Sequence, residues 1–427
     1  CNSARSPSLR RRRPARVGGG MSKDQPVPHF SPTAEEWSED FAAFVRKILP
    51  QIKAYGGCTI TPPASWAWSP PCLDLAQAVK PIRQHLFRAG SGMNGCYTGI
   101  FEEAPPTPLS DYIAQTERSQ PTSADPEAVQ SQYWRRVVTG EQGIMYGSDT
   151  DTASLFDPAL AEWNLSRLPA GTAGDLLRHL PLSIPGLNKP MLYFGGWRST
   201  FCLHTEDSEL GGLSFLHQGA PKFWYIVPPA YAERVRALAA DLYPTEHRQC
   251  AQFLRHKATL IAPATFRAHG IPVCTARQTV GTFVLVLSSS FHFGFNQGFN
   301  VAEAVNFAMR EWVPHGRRAR ACVCGDGQTP HVSVTSLLRA VKAAEPGAAD
   351  WWYFECRCGH PATAVRPIVL LACHGSCTYS PVSIGAGGTR ARPTSTERPT
   401  PTSPKASSSS AAAVVAGATW AATHTTP

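Results

Sequence analysis

Long apolar runs are missing from this chain of 427 residues. No stretch approaches the ~18 consecutive apolar residues of a membrane span, and the N-terminus has no apolar core of a secretory signal, so neither export nor membrane association is expected. Methionine is scarce, with five in all and the first at Met21, and the chain opens on Cys1. Upstream sequence rather than native protein is therefore one reading of residues 1–20. Those twenty residues also contain no acid against six arginines. The run LRRRRPAR (Leu9 to Arg16) leaves two readings open, a nuclear-import or nucleic-acid patch and a solvated basic tail over residues 1–25. Cysteine is not scarce, but thirteen is an odd number, and the Cys-x-Cys pairs Cys322/Cys324 and Cys356/Cys358 favour metal sites in a reducing compartment over disulfides.

Hydrophobic residues, at 43%, suffice for a sizeable core. The net charge of +9 sits at the ends: residues 21–316 carry 23 Lys and Arg against 26 Asp and Glu. A mildly acidic centre favours a cationic partner over bare nucleic acid.

Five regions follow from the pattern. After the basic tail, residues 26–68 read as a small module. Ser31-Pro32-Thr33 followed by Glu35 and Glu36 starts a helix, whose apolar positions Trp37, Phe41, Phe44, Val45 and Ile48 run until Pro50 stops it. Residues 69–145, with Pro70-Pro71 and Pro105-Pro106, read as a partly helical connector. From 146 to 325 the chain turns to strands. MLYFGGW (191–197), GGLSFLH (211–217), KFWYIVPP (222–229), GTFVLVLSS (281–289) and VAEAVNFAM (301–309) are short, aromatic or β-branched, and bounded by Gly and Pro. Between them AYAERVRALAADLY (230–243) has the spacing of an amphipathic helix. Many strands with flanking helices predict a mainly β sandwich or jelly roll. Residues 326–427 read as a low-complexity, largely disordered tail.

The chemistry concentrates in HTEDSELGGLSFLHQGAPK (204–222). On a strand, His204 and Glu206 leave the same face. With His292 of SSFHFGFNQGFN they supply two imidazoles and a carboxylate, the facial triad that holds Fe(II) and leaves positions open for other ligands. Structural histidines are the competing reading. Lys222, between Pro221 and the aromatic run Phe223-Trp224-Tyr225, is expensive to bury without an anion, unless it snorkels to solvent. Cys250, His256, Cys322 and Cys324 make a Cys₃His set suited to structural Zn(II), or four unrelated residues. Cys356, Cys358, His360, Cys373, His374 and Cys377 have no assignable metal spacing.

The segments PMLYFGGWRSTFCLHTEDSELGGLSFLHQGAPKFWYIVPP (190–229), AQFLRHKATLIAP (251–263) and FHFGFNQGFNVAEAVNFAMREW (291–312) resemble the JmjC domain of the JmjN-JmjC histone lysine demethylases. HFSPTAEEW (29–37) is similar to the start of the JmjN module. The nearest branch acts on trimethylated lysines of histone H3. The resemblance implies a double-stranded β-helix, cupin-like JmjC core with an N-terminal JmjN module and flanking helices. It implies Fe(II) on His204, Glu206 and His292, and Zn(II) on Cys250, His256, Cys322 and Cys324. Lys222 and Tyr146 would bind the distal carboxylate of 2-oxoglutarate, between Phe201 and Trp224. The implied activity is hydroxylation of an N-methyl carbon with release of formaldehyde and succinate, in the nucleus, on the histone H3 tail of a nucleosome. Tyr193, Asn306 and Asp149 would face the methylated lysine.

Three positions depart from the family. Ser214 stands in place of a cosubstrate-binding asparagine, Ala304 in place of a serine and Met191 in place of an aromatic residue. These departures keep two alternatives in view: a chromatin-binding protein with the same fold and weak turnover, and a protein hydroxylase on the same scaffold.

Overall fold

The computed structural model describes residues 25–89, 95–322, 324 and 330–345, together with two short paired strands, Phe354–Cys356 and Tyr379–Pro381. Eight strands are shared between two sheets, four in each. Met191–Gly195, Gly211–Gly219, Phe283–Val286 and Asn300–Phe307 lie in a ten-stranded sheet. Thr200–His204, Lys222–Val227, Cys274–Gln278 and Phe291–Asn296 lie in a five-stranded one. Pairing among these eight strands is antiparallel throughout. Successive strands thus cross from sheet to sheet, except that Lys222–Val227 and Cys274–Gln278 pair within the small sheet, and the arrangement is the double-stranded β-helix that the family resemblance implies.

Period-two alternation decides what each sheet face buries. Along Lys222–Val227 every residue is buried, yet the two faces differ. Trp224 and Ile226 point between the sheets, where they meet Ala276, Val284 and Val286. Phe223, Tyr225 and Val227 pack outward with Val129, Tyr133 and Val137 of the helix Pro126–Thr139 and with Val235 and Leu238 of the helix Ala232–Leu242. The large sheet is covered in the same way. Leu213, Phe215, Phe283, Leu285, Val305 and Phe307 pack against Phe41, Phe44, Val45 and Ile48. Both sheets are therefore covered outside by helices, and the polar groups of the site lie among the inward-facing residues.

The structure corrects four expectations. Residues 34–52 form two helices rather than one: Ala34–Trp37, opened by a Thr33/Glu36 capping box, and Phe41–Ile52, started by the Asp40 side chain on the amides of Ala42 and Ala43. Pro50 lies inside the second helix and does not stop it, because burial of Ile48 and Ile52 outweighs the lost hydrogen bond. The expected connector supplies sheet: Ile82–Arg88 pairs with Cys96–Glu103 and with Glu141–Thr150, extending the large sheet. These strands carry the exposed charged residues Arg83, Arg88, Glu102 and Glu103, so they lack the apolar density of the inner ones. Within the expected tail, Ser333 caps the helix Val334–Ala344, whose Val334, Leu337, Leu338 and Val341 pack on Leu176, Leu177, Leu210 and Trp312.

Candidate functional site

His204 ends a strand of the small sheet and lies directly opposite His292 on the neighbouring strand. Their rings are 4.3 Å apart between centroids. Glu206 lies beyond the strand end rather than on it, in extended backbone before the turn Asp207–Glu209 (φ −58°, ψ 153°). Extended geometry preserves the alternation, so its carboxylate still returns to the same side: Glu206 Oε1 is 3.4 Å from His292 Nε2. One ligand atom from each of the three residues lies within 4.8 Å of the others. The carboxylate also needs Gly212 opposite it, because a Cβ there would lie 2.4 Å from Glu206 Oε1.

Backbone carbonyls set the orientation of both imidazoles. His204 Nδ1 is 2.5 Å from the carbonyl of Cys202, and His292 Nδ1 is 3.0 Å from that of Ser290. Each ring therefore donates from Nδ1 and turns Nε2, as an acceptor, into the site, the tautomer that metal ligation requires. Burial, reinforced by His292 and Lys257, holds His204 well below its ordinary pKa and keeps it neutral. Burial opposes ionisation of Glu206, but the adjacent His292 imidazole, with His204 and the Lys257 ammonium, outweighs it and holds the carboxyl far below the usual range. His292 is buried while His204 and Glu206 are half-buried. Solvent thus reaches one side of the triad. The donor set and this one-sided opening fit a divalent metal with free coordination positions.

Lys222 occupies the same interior and is 3% exposed. Its hydrogen bond is to Tyr146 Oη, at 3.4 Å. The ring centroids of Phe201, Tyr146, Tyr193 and Trp224 surround its Nζ at 4.9, 5.6, 5.8 and 6.0 Å. Burial lowers its pKa to about 7, against a weaker opposing pull from Asp149. A lysine walled by aromatic rings, with no carboxylate at contact distance among the described residues, is costly to charge unless an anion joins it. Tyr146 fits the same role, since burial keeps its hydroxyl protonated and able to donate. Ser214 is buried on the facing sheet, with Ala304 and Val284 as cross-strand neighbours.

The residues expected to face a substrate also converge. Met191 pairs with Ala304, and Ala304 with Ser214. Tyr193 donates to Asp149 Oδ1 at 2.9 Å, and Asp149 has a left-handed backbone (φ 52°). Asn306 lies across from Gly212 and donates from Nδ2 to the Gly211 carbonyl at 3.2 Å. Asn296 went unnoticed in the sequence. It is fully buried, donates from Nδ2 to Ser199 Oγ (2.8 Å) and carbonyl (3.0 Å), and hydrogen-bonds Tyr146. The polar ends of FNQGFN, on a strand otherwise apolar, were its only signal.

The second cluster gathers four residues from two distant segments. Cys250 Sγ is 3.6 Å from Cys322 Sγ, and His256 Nε2 is 3.1 Å from the same sulfur. Cys324 completes a set whose ligand atoms lie within 4.8 Å of one another. Tetrahedral Zn(II) with bonds of about 2.3 Å places its sulfurs about 3.7 Å apart, which this spacing fits. Burial, with the neighbouring thiols of Cys324 and Cys322, pushes the Cys250 thiol up to about 12. Burial also lowers the His256 pKa, keeping that imidazole neutral. Of the cysteine-rich run 356–377, only the backbone of Cys356 falls within the described residues, and the rest of that cluster lies outside them.

Comparison with known proteins agrees with this geometry. Residues 191–307 match the family model described as "JmjC domain, hydroxylase". Over 328 residues, 76% of this chain, it is 34% identical to human "Probable lysine-specific demethylase 4F" and 33% identical to rat "Lysine-specific demethylase 4D". It is 34% identical over 302 residues to mouse "Lysine-specific demethylase 4B". The chain spans 50%, 62% and 27% of these relatives' own lengths. The triad and the buried lysine fall within the matched segment: this chain carries a JmjC domain and is a homologue of the lysine-specific demethylases.

Proposed function

We propose that this protein is an Fe(II)- and 2-oxoglutarate-dependent oxygenase that demethylates lysine side chains of histone H3. One observation carries the reading. A solvent-open His204/Glu206/His292 triad and a buried, anion-seeking Lys222 share one interior. Lys222 and Tyr146 would take the distal carboxylate of 2-oxoglutarate, and Phe201 and Trp224 would wall its chain and exclude water. Bound Fe(II) would activate O₂ against 2-oxoglutarate, giving succinate and carbon dioxide and hydroxylating an N-methyl carbon, which leaves as formaldehyde. Because the carbon is attacked, no lone pair on nitrogen is needed and trimethyl-lysine is within reach. Tyr193, Asp149, Asn306, Ala304 and Met191 would receive the methylated ammonium beside the triad. Within this reading, 26–68 is the JmjN module, Cys250, His256, Cys322 and Cys324 hold a structural Zn(II), and the protein works on nucleosomes in the nucleus.

Mass spectrometry of methylated histone H3 peptides incubated with the protein, Fe(II), ascorbate and 2-oxoglutarate tests it. Stepwise loss of methyl groups with matching formaldehyde is the expected result. Peptides gaining oxygen without losing methyl groups would identify a hydroxylase instead.

A further inference from the structure

The turn that carries Glu206 is held in an improbable shape. Ser208 and Glu209, consecutive residues with side chains, both have left-handed backbones (φ 53° and 58°), a conformation that persists only where surroundings over-determine it. The surroundings here are specific. Glu209 is buried, and its Oε1 accepts from Arg255 Nη2 (2.5 Å), Arg236 Nη2 (2.8 Å) and Thr205 Oγ1 (3.1 Å). Trp312 Nε1 donates to the Ser208 carbonyl and the Val332 amide to Ser208 Oγ.

Arg255 does more than neutralise Glu209. Its side chain is 8% exposed, and its guanidinium spends three N–H groups in three directions. Nη2 goes to Glu209, Nη1 to the backbone carbonyl of Glu206 itself (3.0 Å), and Nε to the carbonyl of Arg320 (3.0 Å), two residues before Cys322. Arg255 also precedes His256 in the chain. One planar fork therefore ties the segment bearing the Cys/His cluster to the backbone of a triad ligand. A lysine, with a compact ammonium, cannot reproduce three fixed directions.

We propose that Arg255 is a positioning residue for the triad: through Glu209 and the Glu206 carbonyl it fixes the turn Thr205–Leu210 so that the Glu206 carboxylate meets His204 and His292. This rests on the triad being the catalytic metal site. Groups that orient a metal ligand without touching the metal are worth ten- to a hundredfold in metal affinity when removed.

The test is Mn(II) titration of the 427-residue, zinc-loaded protein by electron paramagnetic resonance, with zinc content and melting temperature measured on the same samples. Arg255→Ala is expected to bind Mn(II) about ten- to a hundredfold more weakly with zinc content unchanged, and Arg255→Lys to recover only part of the loss. Glu209→Gln, which keeps the side chain's shape, is expected to weaken Mn(II) in the same direction, and it carries the test should Arg255→Ala fail to fold. A lower melting temperature with Mn(II) affinity within about twofold of wild type would overturn the proposal and leave Arg255 a stabilising residue. Equal Mn(II) binding by wild type and His204→Ala would overturn instead the reading of the triad as the metal site.

Discussion

The two metal-type clusters of this protein are built on opposite plans. The triad stands on paired strands: His204 and His292 are cross-strand neighbours, and backbone carbonyls two residues upstream already aim both rings. Strand register and backbone hydrogen bonds thus set its geometry. The Cys/His cluster joins residues 72 apart in sequence, with Cys324 exposed at its edge. No sheet pairing aligns these four residues, so a bound Zn(II) would add a cross-link between the two segments beside the Arg255–Arg320 hydrogen bond. Loss of a ligand should accordingly cost function at the first site and stability at the second.

The sharpest way to break this contrast is His204→Ala. Formaldehyde release should fall to background, since two remaining ligands lose both affinity and geometry for Fe(II). The melting temperature should move by no more than about 3 °C, the effect of roughly 1 kcal/mol in a domain of this size. A large drop in melting temperature would erase the distinction between the sites.

Lys222→Ala comes next. Removing one partner of a buried charge pair costs about 3 kcal/mol, so 2-oxoglutarate should bind roughly a hundredfold more weakly in a titration of the metal-loaded protein. The same residue has a pH signature in the cosubstrate-free protein. Its folded pKa of about 7 lies below the ordinary 10.5, so between those values the unfolded chain holds the extra proton and stability rises with pH. The penalty is fully present below pH 7. Lys222→Met should therefore melt higher than wild type at pH 7, with the gap closing toward pH 10, as differential scanning fluorimetry would show.

Cys322→Ser sharpens the other half of the comparison. Zinc content and melting temperature should fall together, by about 5 to 10 °C if 2 to 3 kcal/mol of binding energy is folding energy. Zinc at background level in the wild type would reduce the cluster to coincidence. The smallest effect belongs to Ser214→Asn. If an amide at this position holds 2-oxoglutarate better than the serine does, affinity should rise by about tenfold, the worth of one hydrogen bond to a charged group. Unchanged or weaker affinity would make the serine a working substitute.

Much of the site was legible because metal and anion chemistry admit few residue types. His-x-Glu, a later histidine and a lysine among aromatics can be picked out without coordinates, and the inner strands announce themselves by aromatic and β-branched density. The outer strands Ile82–Arg88 and Cys96–Glu103 do not, because exposed charged residues, Arg83, Arg88, Glu102 and Glu103, interrupt them. The helix Val334–Ala344 was hidden by the low-complexity sequence that follows it, although its apolar face is buried. Asn296 and Arg255 were invisible for a different reason: each acts only through partners brought to it from elsewhere in the chain.

Residue identity and short-range periodicity, then, determined the ligand types, the jelly-roll strands and the capped helix start, since these depend on side-chain chemistry and on neighbours a few positions away. Tertiary structure alone decided that His292 lies opposite His204, that Lys222 has aromatic walls and no carboxylate at contact distance, and that Arg255 reaches Glu206. Those are consequences of sheet register and long-range packing. A one-residue slip in the pairing of Thr200–His204 with Phe291–Asn296 would turn every side chain of the slipped strand to the opposite face.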